Sequence, residues 1–184
     1  MTSDNLSTVL LEIEGVAAKT DHRQIDTLVD RLMDAPRVFV TGEGRSGLMG
    51  KAFAMRLMHL GLSVYAIGET ITPAVREGDL VVAISGSGKT GGTVRAAQGA
   101  RTAGAAVHAV TTDPTSPLGE AANATLVLPA ATKYRRDGEA PTIQPLSSLF
   151  DQVSHIVLDV VCLEVARRRQ VDNDDAGTRH SNTE

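Results

Sequence analysis

Residues 80–90 constrain the fold of this chain more than any other stretch. An apolar run at 80–84 ends in Ser85-Gly86-Ser87-Gly88-Lys89-Thr90, and a helical pattern follows it. This order predicts a buried strand, a tight loop and a helix. The glycines allow backbone N–H groups to turn toward an anion, the hydroxyls add donors, and the helix presents its positive N-terminal end. The stretch therefore predicts a site for a phosphorylated ligand.

Four further runs, rich in apolar and β-branched residues, are also predicted to be strands. They lie at residues 37–41, 63–67, 106–110 and 125–128. Because the runs are continuously apolar and helical patterns separate several of them, we expect a parallel sheet with helices on both faces. The predicted fold class is α/β with a five-stranded sheet.

The strand runs fall within one predicted domain, residues 35–170, which agrees with a chain of 184 residues. Residues 1–34 contain two amphipathic helical patterns, which we expect to pack on the domain or on a partner subunit. Residues 171–184 are polar, and by composition alone they would form a disordered tail.

Composition and charge exclude several classes of function. The net charge of −4 and the aromatic content of 3% argue against a nucleic-acid partner, which needs concentrated cations and stacking rings. Cys162 is the single cysteine, so neither an intrachain disulfide nor a thiol-rich metal site is expected. No apolar stretch reaches the length of a membrane span, and the N-terminus lacks the pattern of a secretory signal. We therefore expect a cytoplasmic protein with no membrane partner.

Two glycine-rich loops also match nucleotide-binding patterns. Residues 42–47 fit G-x-G-x-x-G between a strand and a helix, with Glu69 as a candidate ribose ligand at an unusually wide spacing. Residues 83–90 fit a relaxed ATP phosphate-loop pattern, but Ala83 lies inside the strand, and Asp113 is a weak candidate for binding magnesium. A turn that binds nothing is a further alternative, although the hydroxyls around the glycines exceed what turning requires.

Several motifs spread over residues 37–165 resemble those of one family. They are Gly-Glu-Gly-Arg-Ser-Gly at 42–47, Ala-Met-Arg-Leu-Met-His-Leu-Gly at 54–61, Gly-Glu-Thr-Ile-Thr-Pro at 68–73, Ser-Gly-Ser-Gly at 85–88 and Gln-Pro-Leu-Ser-Ser-Leu-Phe-Asp-Gln at 144–152. Together they resemble the 6-phospho-3-hexuloisomerases of the sugar-isomerase (SIS) domain superfamily.

The resemblance implies a flavodoxin-like SIS domain, a homotetramer, and no metal or organic cofactor. It implies interconversion of D-arabino-hex-3-ulose 6-phosphate and D-fructose 6-phosphate, the step after formaldehyde capture in the ribulose monophosphate pathway. Moving a ketone from C3 to C2 requires a base for the C2 proton and passes through a 2,3-enediolate. Two rivals stay open, a noncatalytic sugar-phosphate-binding SIS module and an SIS isomerase of another phosphosugar.

The predicted substrate site centres on the loop after the third strand. Its members are Ser85, Gly86, Ser87, Gly88, Lys89 and Thr90. Ser46, at the start of a predicted helix, is an additional candidate contact for the sugar or the phosphate. Arg45 is expected either to bind phosphate or to pair with Glu43 or Glu69, and the sequence leaves this open.

The resemblance also implies three catalytic residues. The proton acceptor of the family, a Glu that follows Phe, aligns with Asp151, whose side chain is one methylene shorter. That difference matters, since a misplacement of ~1 Å can cost on the order of a hundredfold in rate. His59, within an otherwise apolar helical segment, is the candidate acid. His180 matches the C-terminal end of the family, which suggests that the tail folds over a site, in this or a neighbouring subunit.

Overall fold

The computed structural model describes residues 2–183, with five parallel strands in one central sheet. The strands are β1 (Val38–Gly42), β2 (Val64–Ala66), β3 (Leu80–Ile84), β4 (Ala106–Thr111) and β5 (Ala124–Val127). The helices are α1 (Thr2–Ala17), α2 (His22–Asp34), α3 (Gly44–His59), α4 (Gly91–Thr102), α5 (Pro117–Ala121), α6 (Ser148–Arg169) and α7 (Asn173–Gly177). Each strand overlaps the apolar run that predicted it.

The strand order is β2-β1-β3-β4-β5, which is the flavodoxin-like order and confirms the predicted fold class. The register pairs Val40 with Val82 and Val82 with His108, so the carboxyl ends of β1, β3 and β4 meet at one edge. The chain reverses its direction across the sheet between β1 and β3. Ligands of open α/β sheets bind outside the carboxyl ends of the strands at such a point.

Side chains alternate between the two faces of the sheet, and each face has its own helices. The face that carries Val40, Val82 and Ile84 is covered by α1, α2, α3 and α6. The face that carries Val81 and Ala109 packs against α4 and α5. Within residues 2–183, none of the helices is both long and apolar enough to cross a membrane.

The two N-terminal helices pack on this same chain. The buried face of α2 comprises Ile25, Leu28, Val29 and Leu32. This helix contacts α6 and β5, and Gln24 accepts a hydrogen bond from the N–H of Val127 at 2.8 Å. On α1, the carboxylate of Glu12 accepts hydrogen bonds from Thr142 Oγ1 and the N–H of Ile143. Helix α2 is thus attached to the edge strand β5, and α1 to the loop after β5.

The polar tail is ordered in the described residues, which differs from what its composition favours. Asp172 caps α7, and a reciprocal bond with Asp175 completes a capping box. Arg179 donates from Nη1 to the carbonyl oxygen of His59 at 3.3 Å, at the C-terminal end of α3. Capping bonds and a cation at a helix C-terminus supply order that a polar composition does not reveal.

Candidate active site

The loop after β3 has the form of an anion cradle. The hydroxyl oxygens of Ser85 and Thr90 lie 2.9 Å apart, and Ser87 Oγ accepts a hydrogen bond from the N–H of Lys89. Among the described residues, none accepts a hydrogen bond from the N–H of Gly86 or of Ser87, so both donors remain available to a ligand. Thr90 is the N-cap residue of α4, whose positive end therefore adjoins the loop.

Close packing explains both glycines of this loop. A Cβ on Gly86 would lie 2.9 Å from the ring of Phe150, and a Cβ on Gly88, where φ is +63°, would lie 1.8 Å from Ser116 Oγ. The carbonyl oxygen of Gly86 accepts hydrogen bonds from both the N–H and the Oγ1 of Thr112. The cradle is thus fixed between the loop after β4 and the first turn of α6.

The loop after β1 forms a tight turn into α3. A Cβ on Gly47 would lie 2.6 Å from the carbonyl oxygen of Gly42, so the turn itself accounts for these two glycines. Glu69, the candidate ribose ligand, instead forms an ion pair with Lys51 at the surface. The dinucleotide pattern therefore lacks the free acid that it would need.

Asp151 lies in the first turn of α6 with its side chain buried, between buried apolar neighbours such as Leu149 and Phe150. Ser46 donates from Oγ to Oδ1 at 2.8 Å, and Arg45 donates from Nε to Oδ2 at 3.2 Å. Burial raises the pKa of the Asp151 carboxyl above its ordinary value, whereas these two donors act in the opposite direction. The site thus contains a desolvated carboxylate with both oxygens oriented.

These groups line one pocket of about 320 Å³ at the carboxyl ends of β1 and β3, a volume within the range of small-molecule sites. The predicted site residues that line it are Ser46, Ser85, Gly86, Ser87, Thr90 and Asp151. Gly88 supports the loop without lining the pocket, and Lys89 is exposed outside its wall. Arg45 lines the pocket and pairs with Asp151, not with Glu43 or Glu69.

His59 and His180 lie at the opposite end of α3 from this pocket. Ser46 and His59 are 13 residues apart on the helix, which corresponds to about 20 Å along its axis. The two imidazoles stack with their ring centroids 5.3 Å apart. Burial lowers the pKa of His59, and the charges of Arg56 and His180 lower it further. One chain therefore does not bring the two histidines to Asp151.

Part of the pocket wall comes from residues that the sequence analysis did not assign. They are Glu43, Gly44, Lys133, Leu146 and Ser147. The last three belong to the loop after β5, whose sequence has no periodicity to interpret. Arg135 holds this loop by donating to three of its carbonyl oxygens, and Arg136 ties it to the carbonyl oxygen of Ser87. The motif at 144–152 could have indicated part of this wall, because it contains Leu146 and Ser147 shortly before Asp151.

The sheet order and the hydroxyl-rich cleft define a class, the SIS domain, whose family profile matches residues 31–156. A 3-hexulose-6-phosphate isomerase of Mycobacterium gastri is 43% identical over 182 residues, which cover 99% of this chain and 91% of that protein. One of Bacillus subtilis (strain 168) is 37% identical over 183 residues, covering 100% and 99%. A solved structure from Methanococcus jannaschii, with an inferred molecular function of 3-hexulose-6-phosphate isomerase, has a TM-score of 0.84 at 31% identity and coverages of 98% and 99%. The chain belongs to the SIS domain family and, within it, to the family of these isomerases.

Proposed function

We propose that this chain is a 3-hexulose-6-phosphate isomerase that interconverts D-arabino-hex-3-ulose 6-phosphate and D-fructose 6-phosphate. Relatives of that name match it over its whole length. One observation of the site carries the proposal: the buried carboxylate of Asp151 shares a pocket with the hydroxyl-rich loop at 85–90. A base beside a phosphate cradle is the minimum that isomerisation of a ketose phosphate requires.

In this proposal the phosphate group binds at the loop after β3. Ser85, Ser87 and Thr90 supply hydroxyl donors, and the free N–H groups of Gly86 and Ser87 supply two more. Hydrogen bonds to an ionised phosphate are stronger than those between neutral groups, and the N-terminus of α4 adds its partial positive charge. Lys89 contributes charge near the loop without a direct contact.

Asp151 acts as the base. Its carboxylate takes the C2 proton, the electrons of the C2–H bond form a C2–C3 double bond, and the C3 carbonyl oxygen becomes negative. Asp151 then returns its proton to C3. The acid gives a proton to the C3 oxygen, which becomes a hydroxyl, and takes the proton of the C2 hydroxyl, so that C2 becomes the new carbonyl carbon. Burial raises the pKa of Asp151 and makes its carboxylate a stronger base, while the hydrogen bonds from Ser46 and Arg45 favour the ionised form.

A second copy of the chain supplies the acid in this proposal. Helices α3 and α6 pack side by side and expose the apolar side chains Leu48, Met55, Met58, Ile156, Val160 and Leu163. A broad exposed apolar face is typical of an interface between proteins. Two-fold symmetry would pair two α3 helices antiparallel, so that His59 and His180 of one copy lie beside the pocket of the other.

The proposal also covers the oligomeric state of the protein and its metabolic pathway. Two such pairs form a homotetramer, since closed symmetric assemblies are the usual form of homo-oligomers. The substrate is the product of formaldehyde addition to ribulose 5-phosphate, so we place the chain in the ribulose monophosphate pathway of formaldehyde fixation, in the cytoplasm.

The experiment that tests the activity supplies the purified protein with hexulose 6-phosphate, made by a synthase from formaldehyde and ribulose 5-phosphate. We expect fructose 6-phosphate to form without added metal, followed by a coupled assay or by NMR. Asp151→Asn is expected to lower turnover at least about 100-fold while fructose 6-phosphate still binds in calorimetry.

Absence of conversion by the folded wild-type protein would overturn the proposal. Binding of fructose 6-phosphate without turnover would identify a noncatalytic sugar-phosphate module instead. Conversion of arabinose 5-phosphate in its place would identify an isomerase of another phosphosugar. Thermal stabilisation by ATP or NAD would revive a nucleotide site.

A further inference from the structure

Arg45 lies where negative charge would form during the proposed reaction. Its Nε donates to Asp151 Oδ2 at 3.2 Å, and its side chain lines the pocket while remaining 62% exposed. Among residues 2–183, no group accepts a hydrogen bond from its two terminal nitrogens. One edge of the guanidinium therefore holds the carboxylate, and its other donors remain available to a ligand.

Enolisation moves one negative charge over a short distance. When Asp151 takes the C2 proton, its carboxylate becomes neutral and an oxygen of the substrate becomes negative. A base must lie within hydrogen-bonding reach of the proton that it removes, so a guanidinium bound to that base also lies close to the new oxyanion. A cation that contacts the carboxylate before proton transfer and the oxyanion after it does not have to move during the reaction. Such fixed, preorganised charge is the basis of strong electrostatic stabilisation in active sites.

Other cations near the pocket are placed less well for this role. Lys133 holds its Nζ over a tyrosine ring, 5.1 Å from the ring centroid. Arg136 is bound to a carbonyl oxygen of the phosphate loop and to an aspartate. Lys89 is exposed outside the pocket wall, and His59 of the same chain lies about 20 Å away along α3.

We propose that Arg45 is a catalytic residue that stabilises the oxyanion of the enediolate, and that Ser46 is a positioning residue that orients Asp151. The inference rests on the proposed function and assigns a stabilising group to the same site. The hydroxyl proton of Ser46 is already donated to Oδ1, so this residue acts on the substrate through Asp151.

The test compares Arg45→Met, Arg45→Lys and Ser46→Ala over a range of pH. On the alkaline plateau, where Asp151 is ionised, Arg45→Met is expected to lower kcat about 100-fold, with the calorimetric Kd for fructose 6-phosphate unchanged. Ethylguanidinium should restore part of kcat with saturation, and Arg45→Lys should retain more activity than Arg45→Met. Ser46→Ala should move the acid limb of kcat/KM to higher pH, because it removes a bond that favours the carboxylate.

Arg23→Met is a matched control, because Arg23 Nε also donates to an aspartate, Asp21, at 3.2 Å on the surface. It is expected to leave kcat unchanged. A plateau kcat of Arg45→Met equal to that of wild type would overturn the catalytic role of Arg45. Equal losses in affinity for fructose 6-phosphate and in kcat/KM would also overturn it, by identifying a phosphate-binding residue. Failure of the wild type to turn over the substrate would overturn the proposed function itself.

Discussion

The two ends of α3 differ in how much of a functional site one chain completes. At the N-terminal end, Ser46 and Arg45 donate to a carboxylate more than a hundred residues away in sequence, in a pocket shared with the loop after β3. At the C-terminal end, His59 stacks on His180, and Arg179 donates to the carbonyl oxygen of His59. At the C-terminal end the donor meets a carbonyl oxygen that the helix terminus leaves unpaired, whereas at the N-terminal end the bonds join side chains.

The comparison shows that a polar cluster at a helix end can either form part of a pocket or hold another segment of the chain in place. The cluster at the N-terminal end of α3 lines a pocket and orients the carboxylate of Asp151, so one chain contains all the groups that the proposed base needs. The histidine pair docks the tail in this chain, and under the proposed function it also completes the pocket of a second copy. These two roles of the pair lead to different measurable consequences.

The largest expected effect comes from mixing two inactive variants. Asp151→Asn and His59→Ala are each expected to lower turnover at least about 100-fold. If the histidine acts in the site of a partner, random mixed oligomers contain some sites with both residues intact, and about a quarter of the wild-type activity should return. Mixing is achieved by co-expression with two affinity tags.

His22→Ala, a change of an exposed histidine, serves as the control and should keep full activity alone. Mixed oligomers that contain both variants and remain inactive would contradict a site shared between subunits. In that case the histidine pair would be assigned to docking of the tail.

A smaller effect is expected when the packing between the loop after β3 and α6, beside the pocket, is disturbed. Gly86→Ala places a Cβ 2.9 Å from the ring of Phe150, so the cradle or the first turn of α6 must move. We expect a loss of about 1–3 kcal/mol in unfolding free energy and a fall in kcat/KM. Both are measured by urea denaturation and the coupled assay.

Gly99→Ala is the matched control, because a Cβ at that position on α4 has no neighbour within 4 Å. It is expected to leave kcat/KM unchanged and to add about 0.5–1 kcal/mol of stability. Retention of full activity by Gly86→Ala would show that the cradle and Asp151 need no fixed distance.

Acidification should weaken the docking of the tail on the C-terminal end of α3. Burial lowers the pKa of His59 on α3, so the protein binds fewer protons with the tail docked than with the tail released. Docking is therefore fully present above the ordinary histidine pKa of about 6.5 and is lost progressively as the pH falls below it. Hydrogen exchange, corrected for intrinsic rates, should show loss of protection at residues 173–180 and no change in α4. Protection that rises on acidification would contradict this origin of the docking.

The smallest expected effect is the contribution of His108 in β4 to the acid sensitivity of folding, which must be distinguished from that of His59 and His180. This side chain is fully buried, neither ring nitrogen has a partner among the described residues, and burial lowers its pKa to about 3. Unfolded His108 takes up a proton below about pH 6.5, so stability falls as the pH is lowered. Between about pH 7.5 and 5.5, the unfolding free energy of His108→Leu should fall by about 1.4 kcal/mol less than that of the wild type.

The measurement is urea denaturation at one fixed protein concentration, because association changes apparent stability. His22→Leu, which replaces an exposed imidazole, should follow the wild-type dependence. Equal losses in His108→Leu and wild type would assign the acid sensitivity to other groups.

Much of the fold could be predicted because it is encoded over short stretches. The run at 80–84 and the loop at 85–90 predict a strand and a turn through hydrophobicity and glycine content, and their hydroxyls before a helix predict an anion site. The five-residue helices α5 and α7 were missed, since five residues are too few to show a helical period. The loop after β5 was missed as a pocket wall because it has no period at all.

The sequence by itself determined the strands, the cradle and, through family resemblance, the carboxylate that belongs beside the cradle. Only the tertiary structure decided that Arg45 pairs with Asp151, that Gly86 packs on Phe150, and that His59 lies far from the pocket of its own chain. Local patterns act over neighbouring residues, whereas these contacts depend on how α3, α6 and the loop after β3 pack together.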